Sequence, residues 1–145
     1  MAFSRVSGKQ NIEWVTRAAT QAFTNGALVY FNGSGAIIPA DATSGDHLGV
    51  IQQTVATTDS NYGTSGVKVM VDVVGENDIF EVGCATSTVA TLAALVGTYI
   101  DLTSSIVADA TASAKDALLV VGVKDASTIL VKIASRVNIL RTATT

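Results

Sequence analysis

Residues 67–73 read Val67-Lys68-Val69-Met70-Val71-Asp72-Val73. Valine returns at every second position, with Lys68, Met70 and Asp72 between, which is the period of a β-strand with two unlike faces. Branching at Cβ favours the same extended backbone. Gly75-Glu76-Asn77-Asp78 follows as a turn, and Ile79-Phe80-Glu81-Val82 is expected as the return strand of a hairpin.

The same rhythm extends upstream. Residues 56–66 are Thr, Ser, Asn and Gly around Tyr62, the composition of an exposed loop. Residues 48–55 read as a strand, preceded by a polar loop over 40–47. Ala27-Leu28-Val29-Tyr30-Phe31 and Ala36-Ile37-Ile38 flank Asn32-Gly33-Ser34-Gly35, a hairpin signal because Asn and Gly accept positive φ. Pro39, the only proline, ends that pairing.

Downstream, residues 88–96 are expected as one short helix. Ser87 or Thr88 would cap it, Val89, Leu92 and Val96 would share a face, and Gly97 would stop it. Strands are expected at 99–102 and 105–108. A small-residue loop covers 109–116, and residues 118–123 and 128–134 form a pair about Asp125-Ala126-Ser127. Short strands at this spacing imply a mainly β chain folded as a small β-barrel or β-sandwich.

The 145 residues are one domain's length, enough to fold without disulfide or metal. The division expected is an N-terminal arm over 1–22, a single β-rich body over 23–140 and a polar tail over 141–145. Within the arm, residues 13–22 suit either a short helix or a loose segment docking through Trp14. Only 14% of residues are charged, against about a quarter in an ordinary soluble domain, so part of the surface is expected to be interface. Residues 1–17 carry Arg5, Lys9 and Arg17 against Glu13, and residues 132–145 carry Lys132, Arg136 and Arg141 with no acid; the middle is acidic. Basic ends on an acidic body suit an acidic protein partner. Without a basic cluster interleaved with aromatics, nucleic acid is not an expected partner. A membrane is not expected either, since the longest apolar stretch, 89–97, is far too short to span one. The N-terminus lacks the apolar segment of a signal peptide.

Candidate chemistry is sparse, and the chain is not expected to be an enzyme or to hold a cofactor or metal. His47 is the only histidine. Ser44 and Asp46 lie beside it, but a triad needs a base oriented by a separate carboxylate, and neighbours in sequence do this poorly. One Cys, Cys84, and one His cannot close a zinc site. Gly33-Ser34-Gly35 lacks the lysine and spacing of a phosphate loop. Asp72 and Glu81 are expected across one hairpin on a solvated face.

A resemblance adds to this reading. Phe23-Thr24-Asn25-Gly26-Ala27-Leu28-Val29 opens the body, followed by Ile37-Ile38-Pro39-Ala40-Asp41, Gly45-Asp46-His47-Leu48-Gly49-Val50, Val55-Ala56-Thr57-Thr58-Asp59 and Val67-Lys68-Val69. Leu95-Val96-Gly97-Thr98-Tyr99-Ile100-Asp101 and Val121-Gly122-Val123 continue the series. Over residues 23–135 this order resembles the tailed-phage capsid decoration, or cement, proteins, broadly the lambda type. The resemblance implies a compact β-tulip-like body, a homotrimer, a site on the outer capsid surface of the virion and an N-terminal arm touching the major capsid protein. It carries over no catalytic residue. On that reading Arg5, Lys9, Trp14 and Arg17 form the capsid-binding set, with Trp14 as an anchor rather than a core plug. The alternative is a carbohydrate-binding or adhesive β module of a fibre or cell surface, using residues 59–65 with Tyr62; an aromatic content of 6% weighs against it.

Overall fold

The computed structural model describes residues 2–44, 46–84 and 88–134. The chain is mainly β, as expected, with two sheets and one short helix among these residues. In chain order the elements are β1 (Ser4–Ser7), β2 (Ile12–Thr16), β3 (Leu28–Phe31), β4 (Ile37–Pro39), β5 (Gly49–Ile51), β6 (Lys68–Val73), β7 (Ile79–Cys84), α1 (Val89–Ala93), β8 (Tyr99–Ser104), β9 (Val107–Asp109), β10 (Leu118–Asp125) and β11 (Thr128–Ile133).

The first sheet runs β1-β7-β11-β10-β8-β9, and β9 returns to pair in parallel with β7. That pairing closes β7, β11, β10, β8 and β9 into a ring and removes two free edges. The second sheet runs β2-β6-β5-β3-β4. A single parallel bridge, Arg17 to Ile37, ties the end of β2 to β4 and curls this sheet.

Alternation explains how one sheet serves two cores. Val29, Ile37, Ile51, Val69 and Val71 point into a core of their own, joined by Phe23, Ala27 and Val55. Leu28 and Val50, one step along the same strands, point the other way into the larger core with Phe3, Phe80, Leu102 and Val131. The second sheet is thus apolar on both faces where it meets the first. The strands lie very close there: a Cβ on Gly49 would overlap the Asp72 carbonyl oxygen, so only glycine fits that position.

The β3–β4 hairpin forms as expected, with Phe31 opposite Ile37. Asn32 Oδ1 accepts the Ser34 N–H at 2.8 Å, and Gly33 and Gly35 take positive φ. The β10–β11 pair also forms.

Three expectations are corrected. The turn at 75–78 does not make a hairpin. β6 belongs to the second sheet and β7 to the first, so the chain crosses between layers there. Val74 supplies the reason: it breaks the alternation and buries in the larger core. Glu81 consequently sits opposite Ser4 and Leu130, not Asp72, and pairs with Lys124 at 2.8 Å. Second, no helix forms over 13–22. Residues 12–16 are β2, because Val15 can join the core beside Val69 only from an extended strand. The stretch read as an arm supplies β1 to one sheet and β2 to the other. Third, α1 stops at Ala93, and of its expected apolar face only Leu92 is buried, while Val89 and Val96 are exposed. Thr88 is the cap, its Oγ1 accepting the Thr91 N–H at 3.2 Å. Ser87 and the polar tail at 141–145 lie outside the described residues.

Candidate interaction face

β1 and β2 carry all four residues of the expected binding set, and the fold sends them in different directions. Arg5 turns inward. Its Nε and Nη2 donate to the two oxygens of Asp72 at 2.9 and 2.7 Å, and Nη1 lies 2.7 Å from Asp78 Oδ1. The guanidinium stacks 4.9 Å above the Phe80 ring. The Asp72 hydrogen bond raises the arginine pKa further above its usual value. Asp72 lies on the second sheet, so this fork clamps one layer to the other. Asp78 also accepts the Gly75 N–H at 2.7 Å, which fixes the crossover turn.

Arg17 is 1% exposed. Its guanidinium donates to the carbonyls of Asn61, at 2.7 Å, Tyr62 and Ala18, and so braces the 56–66 loop. Lys9 and Trp14 remain outside. Trp14 is 60% exposed and Ile12, two residues earlier on the same face, is 39% exposed. Met70 stands directly opposite Trp14, and Lys68 opposite Thr16. The outcome is an exposed apolar pair, Ile12 and Trp14, with Lys68 beside it, rather than a cluster of four. The signal for Arg5 was legible in principle: an acid, Asp72, interrupts a valine strand, and a buried acid needs a cation.

Beside this face, a cleft of about 350 Å³ lies along the seam between the sheets. Ser4, Gln10, Asn25 and Gln52 line it together with Arg5 and Asp72.

His47 is a second polar centre, 1% exposed. Nδ1 lies 3.2 Å from the Ala134 carbonyl, which can only accept, so Nδ1 carries the proton. Nε2 lies 3.0 Å from Ser44 Oγ. Burial lowers the imidazole pKa to about 4, leaving it neutral at pH 7. Ser44 and His47 do meet, but a main-chain carbonyl orients the ring. Asp46 Oδ1 is buried without a hydrogen-bond partner among the described residues. Ser44 is itself buried and tied to both backbone groups of Asp41. The cluster joins the loop before β5 to the end of β11.

Burial raises the pKa of the Cys84 thiol. Among the described residues no three His, Cys, Asp or Glu side chains gather as metal ligands. Tyr62, the aromatic of the alternative carbohydrate site, packs against the smaller core and donates its hydroxyl to the Thr20 carbonyl at 2.9 Å. No family model matches this sequence, and no curated protein matches it as a relative.

Proposed function

We propose that this chain is a structural protein of a phage virion, which binds the outer surface of the capsid and stabilises the expanded lattice. The observation that carries the reading is Trp14, 60% exposed on a strand paired along its length to β6. A large aromatic held in place loses little entropy on binding, which makes it a natural hot spot. Lys68, opposite Thr16 on β6, stands diagonally across from it, and Lys9 is exposed ahead of β2; both favour an acidic partner surface such as a capsid subunit. The order of short phrases over 23–135 that resembles decoration proteins supports the same reading. A protein that binds only the expanded head shifts the lattice equilibrium towards that form by mass action.

The test is co-sedimentation with expanded and unexpanded heads of the phage that encodes it. The expected outcome is binding to expanded heads, weakened at least about tenfold by Trp14→Ala, as for an interface hot spot. Trp14→Ala protein should unfold at the wild-type temperature, because the side chain is outside both cores. Failure of the wild-type chain to bind either head form overturns the reading.

A further inference from the structure

We propose that two copies of this chain pair edge to edge through β2, antiparallel and centred on Trp14, making one continuous sheet across a two-fold axis. The main-chain phase of β2 carries the argument. Val73 N–H donates to Asn11 O at 2.8 Å, and Arg17 N–H donates to Val67 O at 2.9 Å. Both are odd-numbered positions of β2 and its extensions. Antiparallel bonding alternates along a strand, so residues 11, 13, 15 and 17 face β6. Ile12, Trp14 and Thr16 therefore turn their N–H and C=O groups to the outer edge. Ala18, the next in that series, donates outward to Ile37 O at 3.0 Å, which confirms the phase.

From Ile12 to Thr16 no strand of the described residues lies on that edge. The stretch Ile12-Glu13-Trp14-Val15-Thr16 contains no proline, no lysine and no bulge, and its one charge is Glu13.

The identity of the partner follows from the other edges. A head-to-tail ring, such as a trimer built through sheet edges, needs a second, different edge to receive β2. β4 ends at Pro39 and is bridged by Arg17. β1 is broken by a register shift between Arg5 and Ser7. Among the described residues β2 alone presents a regular edge without a partner strand, and it is complementary to itself. With Trp14 opposite its own copy, Ile12 meets Thr16 on either side, and all three outward residues fall at bonded positions. Glu13 then stands across from Val15, so no like charges oppose each other. Pairing uses the edge and leaves the outer side-chain face free. Two Trp14 rings become neighbours on one surface, a bivalent version of the face described above, with the added avidity of two linked contacts.

Sedimentation of the full chain from about 1 to 200 μM tests this, a range that covers dissociation constants across the micromolar decades. The expected species is a dimer of twice 14.8 kDa, with a concentration-dependent change in the fluorescence of the single tryptophan. Thr16→Pro removes an outward N–H that the fold itself does not use, and should raise the dissociation constant at least about tenfold, the scale of the two hydrogen bonds, one per copy, that the pair loses. Trp14→Lys, an exposed substitution the fold tolerates, should do the same should the proline variant fail to fold. A monomer throughout, a trimer, or a dimer that survives Trp14→Lys each overturns the proposal. None of these measurements involves a capsid.

Discussion

The Arg5 cluster and the His47 cluster both fasten one sheet to the other, yet one is ionised and the other neutral. Arg5 reaches from β1 to Asp72 on β6 with two charge-assisted bonds, and to Asp78 in the crossover. His47 reaches from the loop before β5 to Ala134 after β11, using a neutral ring and a main-chain carbonyl. The difference follows from what each site offers. Two carboxylates at the first can hold a cation in place despite burial. The second presents a hydroxyl and a carbonyl to the ring, so burial drives the imidazole to its uncharged form.

The largest expected effect comes from breaking the ionised clamp. Arg5→Ala strands Asp72 without its cation and should lower the unfolding free energy by about 3–5 kcal/mol, read from urea denaturation. Adding Asp72→Asn should return a large part of the loss, because it removes the stranded charge. Equal losses in the single and double variants would mean that Arg5 acts through its packing on Phe80 alone.

The neutral clasp should respond to pH instead. The folded pKa of His47 lies below the unfolded value near 6.5, so the unfolded chain takes up the proton first. The stability that burial of the neutral ring permits is present above pH 6.5 and is lost as pH falls towards about 4. The loss is about 3 kcal/mol across that window. His47→Gln should be less stable at pH 7 but should lack this slope between pH 6.5 and 4.5. Parallel wild-type and variant curves there would show that the ring is already protonated in the fold.

The smallest effect sharpens the contrast. Lys124 and Glu81 make a 2.8 Å pair on an exposed stretch of the first sheet. Lys124→Ala should leave the urea midpoint unchanged within error, since solvent screens such pairs. A loss comparable to that of Arg5→Ala would contradict the view that burial sets the strength of the clamp.

Much of the fold was legible in the chain, and the exceptions share a cause. The β3–β4 and β10–β11 pairs were readable because turn chemistry and alternation are local. The Thr88 cap was readable for the same reason. The crossing from β6 to β7 was not, because a turn of Gly, Glu, Asn and Asp serves a hairpin or a change of layer equally well. The N-terminal strands were not, because their few apolar residues, Ile12, Trp14 and Val15, mean little until β6 offers an edge to pair with. Of the expected binding set, Trp14 and Lys9 lie outside, while Arg5 and Arg17 are bound within the fold. An arginine near a terminus looks the same in sequence whether its partner is solvent, a carboxylate such as Asp72 or, as for Arg17, two carbonyls of a distant loop.

The sequence by itself determined the class of structure, the positions of most strands and turns, and the low fraction of charged residues. These depend on residues within a few positions of one another, where backbone preference and side-chain period act directly. Only the tertiary structure decided which sheet each strand joined, that β9 closes a ring on β7, that Asp72 and Arg17 are buried, and that no described strand covers the outer edge of β2. Each of those depends on groups brought together from distant parts of the chain: Asp72 lies 67 positions from Arg5, and Ala134 lies 87 from His47. Burial and pairing at such separations are properties of the packed molecule, because the same side chain is stable in water or inside according to the partner it finds there.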